Sequence, residues 1–397
     1  MKLIWITPEC PYPANTGGRV GMWKRISHLA YRNEIYLYTI VDAESEKQYA
    51  YEIKKYCTEV KFYSRRSILS SLLACIRLPY PAVSRWNSQL TEDLRIDFRK
   101  INPDWVIVDF PQMIGALPEN ILRSQRLVLN QHNIEFLSLR SLGNGLGGWK
   151  RKIYELISKQ MEHYESSIYQ KIKISLFTFV SSSDKRYFEN RFGKHNTFLV
   201  PVGAEIRECK IKANCHNLIF VAKMSYPANE EGAIWLVNDI MPQILEKVPD
   251  AHLYLVGKEP RETLIKVCKD KKYVEITGTV DNLKPYYEKC NLAVVPIMTG
   301  GGVNVKLLEA LGQDKLVVTT SKGIEGTDFK NNIHLKVADN PNDFACDCID
   351  ILLNPTSNEN MQRRQRARDI MINKYSWDGI CNSFENKLKQ LTNSYDD

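Results

Sequence analysis

A run of glycines followed by two charged helical residues carries the clearest chemistry in this sequence. Gly300, Gly301 and Gly302 precede Lys306 and Glu309, which fall one turn apart on the same face of a predicted helix. Glycines let backbone N–H groups approach a ligand closely, and a helix N-terminus favours anions. The pattern suits a diphosphate held by the backbone and Lys306, with a sugar hydroxyl held by Glu309. A glycine-rich turn before an ordinary helix, with both charges merely solvated, is the alternative.

The segments on either side of this run favour the ligand-binding interpretation. Leu292–Met298 before it and Lys315–Thr320 after it are apolar and are predicted to be buried strands. The glycines then lie at the carboxyl end of one strand of a parallel sheet. Open α/β sheets bind their ligands at this edge.

The same alternation of strands and helices extends along the whole chain. Most predicted strands are continuous apolar runs rather than alternating ones, which is typical of strands buried on both faces of a parallel sheet. Two doubly wound α/β domains follow from this pattern. We expect a first domain at residues 1–205 and a second at 206–374, with a helix at 375–397 packing back onto the first.

Composition places the chain among globular proteins with two cores. It has 397 residues, of which 44% are hydrophobic and 25% charged. No run approaches the ~18 apolar residues of a membrane span, and the first residues are too short an apolar run for a signal peptide. Ten cysteines occur without a C-x-x-C pair, which predicts a reduced, cytoplasmic chain with no metal site.

The net charge of +8 is concentrated in the amino-terminal half of the chain. Residues 1–200 carry +10 and the remainder −2. A basic half suits an anionic membrane surface or a lipid-linked acceptor, whereas no nucleic-acid-binding signature is present. The segment Ile68–Leu78, flanked by Arg65, Arg66 and Arg77, could be an amphipathic membrane-contacting helix. A helix packed on the first domain's core is the favoured alternative for this segment. The alternative explanation of the excess positive charge is a scatter of solvated lysines.

Several motifs in a fixed order resemble one known family. The chain resembles the family-4 glycosyltransferases of the GT-B fold, especially bacterial sugar transferases of exopolysaccharide and cell-surface glycan pathways. The resemblance implies two Rossmann-like domains with a cleft between them. The segments that carry it are Pro13–Arg19, His132–Glu135, Val180–Asp184, Phe220–Asn229, Val256–Lys258, Thr277–Val280, Gly300–Ala310, Gly323–Gly326 and Tyr375–Trp377.

The resemblance assigns donor-binding roles mainly to the second domain. Glu309 would hold the ribose of a nucleoside-diphosphate sugar, and Lys306 with the backbone of Gly301 and Gly302 would hold its diphosphate. Lys223 would be a second cation that stabilises charge on the departing diphosphate. A lysine that reaches solvent at a strand end is the alternative for Lys223.

Four further residues complete the expected donor site. Thr279 and Val280 would lie beside the base, and Asn229 and Asn304 beside the phosphates. Helix N-capping is an equally good explanation of Asn229. Asn304 stands where the exopolysaccharide branch often has arginine.

The resemblance also implies roles in the first domain. His132 would contact the transferred sugar, with Glu135 as an orienting or acceptor-binding carboxylate. Gly17 and Gly18 would form a loop that faces the leaving phosphate or the acceptor. Arg19 would bind an anionic acceptor, or cap the surface of the following helix.

Together these assignments imply a retaining, metal-independent enzyme without a cofactor. It would move a sugar from a nucleotide sugar to a glycan or lipid-linked acceptor in surface polysaccharide or glycoconjugate synthesis. His132, Lys223 and Lys306 would carry the catalysis, in the cytoplasm or at the inner face of the membrane. A nucleotide-sugar epimerase of the same fold and a non-catalytic nucleotide-sugar-binding partner protein are the alternatives.

Overall fold

The computed structural model describes residues 1–14, 17–75, 78–144, 148–299 and 303–396. The chain divides into two compact units. Unit 1 comprises Met1–Val202 together with Ile380–Asp397, and unit 2 comprises Gly203–Gly379.

Unit 1 is built on a sheet of seven parallel strands in the order β3-β2-β1-β4-β5-β6-β7. The strands are β1 Lys2–Thr7, β2 Glu34–Val41, β3 Glu59–Ser64, β4 Trp105–Asp109, β5 Leu127–Gln131, β6 Leu176–Phe179 and β7 Thr197–Leu199. Its helices are α1 Gly17–Leu29, α2 Ala50–Lys54, α3 Ile68–Ala74, α4 Tyr80–Val83, α5 Ser88–Ile101, α6 Glu119–Leu122, α7 Glu135–Asn144, α8 Gly148–Lys171 and α9 Ser182–Phe192, with 3-10 turns at Glu44–Tyr49 and Pro111–Ala116.

The continuous apolar strands divide their side chains between two cores, one on each face of the sheet. In β1, Ile4 and Ile6 belong to one core, whereas Leu3 and Trp5 belong to the other. Successive side chains of a strand point to opposite faces, so a strand covered on both sides has to be apolar at every position. All four side chains are fully buried.

Unit 2 repeats this arrangement with six parallel strands in the order β10-β9-β8-β11-β12-β13. The strands are β8 Asn217–Val221, β9 His252–Val256, β10 Val274–Gly278, β11 Leu292–Val295, β12 Leu316–Thr319 and β13 Lys336–Val337. Its helices are α10 Pro227–Trp235, α11 Met241–Lys247, α12 Glu262–Cys268, α13 Lys284–Glu288, α14 Val305–Gly312, α15 Pro341–Leu353 and α16 Asn358–Ile370, with π-helical turns at Leu236–Ile240 and Met371–Tyr375.

Two glycines of unit 2 stand where no side chain would fit. A Cβ on Gly232 would lie 2.2 Å from the carbonyl oxygen of Pro296, so α10 can pack closely on the end of β11. A Cβ on Gly257 would lie 1.7 Å from the carbonyl oxygen of Ala222, and Gly257 has φ of +148°. These contacts bring the loops at the carboxyl edge of the sheet close together.

The final helix, α17 (Trp377–Asp396), supplies part of the core of unit 1. Phe384 and Leu388 are fully buried in the same core as Leu3 and Trp5. The indole N–H of Trp105 also donates to the hydroxyl of Thr392 at 3.0 Å. Unit 1 is therefore built from the two ends of the sequence.

Candidate functional site

A cavity of about 190 Å³ lies at the carboxyl edge of the unit 2 sheet. Strand order reverses between β8 and β11, and the loops after these two strands form most of the cavity wall. A reversal of this kind opens a crevice at the strand ends. The lining polar residues are Tyr226, Asn229, Thr299, Asn304, Lys306 and Lys322.

Lys306 brings a positive charge to this cavity. It lies in the first turn of α14, where the backbone N–H groups also favour an anion. Among the described residues, its ammonium has no hydrogen-bond or ion-pair partner. Burial lowers the pKa of Lys306 because the ammonium loses water, and the nearby Glu309 carboxylate opposes that shift. Lys306 is thus half-buried and without a protein partner in the described part of the chain.

Glu309 lies on the same helix, three residues after Lys306. Burial raises the pKa of the Glu309 carboxyl, and the charge of Lys306 opposes the shift. No described residue donates a hydrogen bond to its side chain. Lys306 and Glu309, both half-buried, therefore lie side by side, because residues three positions apart share one face of a helix.

Asn229 contributes an unpaired acceptor to the same cavity. Its Nδ2 donates to the carbonyl oxygen of Lys223 at 2.7 Å, whereas its Oδ1 is buried and has no partner. The residue is 3% exposed. Tyr226, and not Asn229, occupies the N-cap position of α10. Because the amide N–H is engaged, the Asn229 side chain offers an acceptor where the sequence suggested a donor or a cap.

Asn304 connects the start of α14 to the loop after β12. Its Nδ2 donates to the carbonyl oxygens of Lys322 and Gly323 at 3.1 and 3.3 Å. The amide therefore orders the cavity wall. The expected phosphate ligands Gly301 and Gly302, with Gly300, lie outside the described residues.

Four other residues expected at the donor site do not line this cavity: Glu309, Lys223, Thr279 and Val280. Lys223 follows β8 and pairs with Glu259, with 2.9 Å between Nζ and Oε2. Thr279 is exposed after β10, at the edge of the sheet, and Val280 packs against the core of unit 2. The charge of Lys223 is thus already balanced by a carboxylate.

In unit 1, His132 belongs to a buried polar cluster at the carboxyl edge of the sheet. It follows β5, and its Nε2 lies 2.9 Å from Oδ1 of Asp109, at the end of β4. The same Nε2 lies 2.9 Å from Nη2 of Arg25. Phe110, with φ of +69°, stacks on the imidazole at 4.3 Å between ring centroids. Neighbouring strand ends thus hold the ring in one orientation.

One imidazole nitrogen cannot serve both charged neighbours. Arg25 can only donate, and ionised Asp109 can only accept, so the tautomer of His132 decides which bond forms. Burial and the charge of Arg25 lower the pKa of His132, and Asp109 opposes them. For Asp109, burial raises the pKa, but the His132 bond and the charges of His132 and Arg25 outweigh it and lower the pKa. With either tautomer, Nδ1 of His132 is the ring nitrogen without a partner among the described residues.

Glu135 begins α7 beside the half-buried Arg85. Burial raises the pKa of Glu135 to about 7, although the charge of Arg85 and a bond from Asn133 lower it. The guanidinium of Arg85 donates to the carbonyl oxygens of Pro8 at 3.2 Å and Pro81 at 3.1 Å. Glu135 thus combines a pKa near neutrality with a neighbouring cation, which suits a group that binds a polar ligand.

Gly17, Gly18 and Arg19 form the first turn of α1. The guanidinium of Arg19 lies 2.9 Å from carboxylate oxygens of both Glu9 and Glu46. Its side chain is only 13% exposed. Arg19 is therefore tied into the unit 1 structure by two ion pairs.

Sequence reasoning missed several residues of these sites. Asp109 ends a fully buried apolar strand, and a carboxylate at such a position is a signal that could have found it. Arg25 and Phe110 gave no comparable signal. Among the described residues, no three His, Cys, Asp or Glu side chains come together as a protein-built metal site would need. No helix in the described part of the chain is long and apolar enough to cross a membrane.

Comparison with known proteins indicates which class of protein this chain is similar to. Residues 215–354 match the family of Glycosyl transferases group 1. Solved structures with the same fold include a glycosyltransferase from Rickettsia africae ESF-5 and Anabaena HepE in complex with UDP. The first is 13% identical with a TM-score of 0.64, covering 98% of both chains. The second is 12% identical with a TM-score of 0.65, covering 98% of this chain and 100% of HepE.

The chain therefore has the GT-B fold, and its second unit carries the signature of group 1 glycosyl transferases; the predicted fold class and family resemblance are confirmed. A relative that matches most of the chain is a Klebsiella pneumoniae protein described as an uncharacterized 44.6 kDa protein in the cps region. It is 26% identical over 358 residues, which cover 87% of this chain and 89% of that protein. The family match supports sugar transfer as the class of activity.

Proposed function

We propose that this protein is a retaining glycosyltransferase that moves a sugar from a nucleoside-diphosphate sugar to a glycan or lipid-linked acceptor of surface polysaccharide synthesis. The observation that carries the proposal is the unit 2 cavity, where Lys306 and Asn229 Oδ1 are half-buried or buried without partners in the described chain. Unpaired polar groups in a concave site are costly unless a ligand completes them. A diphosphate and sugar hydroxyls have the required chemistry.

Each polar group has a matching part of the donor. Lys306 and the first turn of α14 favour the diphosphate, and Glu309 favours a ribose hydroxyl. Asn229 Oδ1 would accept from a further hydroxyl. Solved structures of HepE in complex with UDP and with UDP-glucose support a nucleotide sugar as the ligand. The relative from a cps region supports a polysaccharide pathway.

The proposed chemistry relies on electrostatic stabilisation. As the bond between sugar and diphosphate breaks, negative charge grows on the departing phosphate, and Lys306 stabilises it. The acceptor hydroxyl attacks from the same face and gives its proton to the leaving diphosphate, so anomeric configuration is retained. Nδ1 of His132 is assigned to the transferred sugar and Glu135 to the acceptor. Lys223 would act only after release from Glu259. We propose that no metal is needed, and transfer should then persist in a chelator.

Nucleotide binding by the Lys306→Met variant tests the donor site. Methionine keeps most of the side chain's length and removes its charge. Loss of a charge-assisted bond of about 1.5–3 kcal/mol should weaken nucleoside diphosphate binding by about 10-fold to 150-fold. Because burial disfavours the unpaired ammonium, the ligand-free variant should melt at a higher temperature than the natural protein. Lys284→Met is the matched control, since Lys284 is a half-exposed lysine of the same unit, 3.7 Å from Glu288.

Calorimetry against uridine, guanosine, adenosine and thymidine diphosphates provides the measurement. Selective binding to one base that weakens in Lys306→Met and Glu309→Gln, but not in the control, supports the proposal. Equal affinity in all four proteins would refute the assigned site. Turnover of the nucleotide sugar without any acceptor would instead indicate an epimerase, and binding without turnover a non-catalytic partner protein.

A further inference from the structure

The amino-terminal half of helix α8 exposes an apolar stripe. Trp149, Ile153 and Leu156 are 68%, 44% and 59% exposed. At 3.6 residues per turn, their spacing of four and three residues puts them within about 60° of one another around the helix. Three large apolar side chains in a row on one exposed face are not the usual scatter of single surface hydrophobics.

The stripe lies opposite the face of α8 that packs on unit 1. Ser158 and Met161 are buried, and the hydroxyl of Ser158 donates to the carbonyl oxygen of Phe136 in α7. On a regular helix Ser158 lies about 140° to 180° from the three stripe residues, and Met161 about 80° to 140° from them. The stripe is therefore not the rim of the core, because α8 already buries its other side.

Two helices that neighbour α8 also carry exposed apolar residues. Gln160, the next position along it, donates from Nε2 to the carbonyl oxygen of Cys75 at the end of α3, at 3.1 Å. In α3, Ile68 and Leu69 are 68% and 74% exposed. In α7, Leu142 is 59% exposed and precedes Gly143, whose Cβ position would lie 2.9 Å from Tyr154 of α8.

The charges around the stripe have one predominant sign. Lys150 and Lys152 lie on its two sides, followed by Lys159, and all three are exposed. The ammonium of Lys150 lies 5.8 Å from the centre of the Trp149 ring. The acidic Glu155 is neutralised by Arg151, with 2.9 Å between Nε and Oε1. Lysines beside a tryptophan and aliphatic residues on one helix face are the pattern of a helix that lies in an anionic membrane interface.

We infer that α8, with the exposed ends of α3 and α7, is a docking surface for a bilayer that contains anionic lipids. In the sequence, the Ile68–Leu78 segment was one candidate for a membrane-contacting helix, with a core-packed helix as the favoured alternative. There, Ile76, Arg77 and the side chains of Leu72 and Leu73 lie outside the described residues. The inference goes beyond the proposed function, because it concerns unit 1 and is independent of the donor site. Cationic side chains supply long-range attraction to anionic headgroups, and the stripe supplies insertion.

Vesicle co-sedimentation of the full chain tests the surface. Vesicles of equimolar phosphatidylcholine and phosphatidylglycerol should bind the protein, and vesicles of phosphatidylcholine alone should bind it far more weakly. Each basic residue contributes about fivefold, so Lys150→Glu with Lys152→Glu should weaken binding by about 25-fold or more. Trp149→Ser with Leu156→Ser should weaken it by about tenfold or more.

Matched changes in unit 2 control for exposure and charge. Ile265→Ser with Lys272→Glu alters one exposed apolar and one exposed basic residue and should leave vesicle binding unchanged. Nucleoside diphosphate binding should be the same in every variant. A result that refutes the docking surface is therefore distinguishable from one that refutes the donor site. Equal vesicle binding by all variants would overturn the inference. The inference would also be overturned if the protein bound no vesicles but formed a dimer that the Trp149→Ser variant dissociates.

Discussion

Replacing Glu165 by glutamine is expected to remove a loss of folding stability that unit 1 undergoes as the pH rises. Glu165 lies on α8 and is fully buried. Its carboxylate accepts from the backbone N–H groups of Glu135 and Phe136 at 3.2 and 3.3 Å, in the first turn of α7, and from the Tyr169 hydroxyl at 3.1 Å. Burial and the charge of Glu135 raise the pKa of Glu165 to about 8, although these three donors oppose the shift.

The direction of the pH effect follows from the raised pKa. Between the ordinary carboxyl pKa of 4.5 and the folded value of about 8, the folded protein keeps a proton that the unfolded chain has released. Stability is therefore greatest below this range and falls as the pH rises through it. At about 1.36 kcal/mol for each pKa unit, the loss amounts to at most about 5 kcal/mol above pH 8.

Glutamine imitates the protonated acid at every pH, since it is neutral and keeps one acceptor oxygen. The variant should match the natural protein at pH 5 and be more stable at pH 9, by up to about 5 kcal/mol. Because a two-unit chain need not unfold in one step, unit 1 should be followed by hydrogen exchange of the Glu135 and Phe136 amides. Protection factors at pH 5, 7 and 9 give the measurement.

Glu162→Gln on the same helix provides the control. Glu162 is 25% exposed and pairs with Arg140 at 2.9 Å and with Arg191. Losing these two partly exposed pairs should cost at most about 1 kcal/mol each and leave the pH dependence of the natural protein intact. If Glu165→Gln kept the natural pH dependence, or were less stable at pH 9, Glu165 would be ionised in the folded protein and the reasoning would fail.

Two further substitutions test the packing of the sites. Asp109→Asn leaves the fully buried Arg25 without its counter-charge and should destabilise the protein by about 3–5 kcal/mol in urea unfolding; a loss below 1 kcal/mol would show that Arg25 finds another partner. Gly257→Ala forces a Cβ to within 1.7 Å of the Ala222 carbonyl oxygen and should prevent stable folding. Gly278→Ala, which has φ of +67° but no atom within 4 Å of its Cβ position, should cost only about 1–2 kcal/mol in the same assay.

The strands of this protein could be predicted because burial on both faces makes their sequences continuously apolar. The predicted strands Leu292–Met298 and Lys315–Thr320 contain β11 (Leu292–Val295) and β12 (Leu316–Thr319) of the structure. In the first unit, the apolar strand β5 ends at Gln131. His132 is thereby left in the loop, where its ring can stack on a neighbour.

The charge partners of the candidate site could not be predicted in the same way. Arg19 and Lys223 were expected to meet ligands, but both form ion pairs with carboxylates of the protein. A sequence with 46 acidic residues does not reveal which of them a given cation will reach. The contact between His132 and Arg25 likewise joins residues 107 positions apart. Such pairings arise from sheet topology, which local patterns do not encode.

The division of unit 1 between the two ends of the sequence has a consequence for its synthesis. On the ribosome, residues Gly203–Gly379 emerge before Phe384 and Leu388, which complete one core of unit 1. Unit 2 can therefore finish folding first. Until α17 is synthesised, part of the apolar surface of the nascent unit 1 stays exposed and can bind chaperones. A premature stop codon just before α17 would accordingly damage unit 1, although all seven of its strands would have been translated.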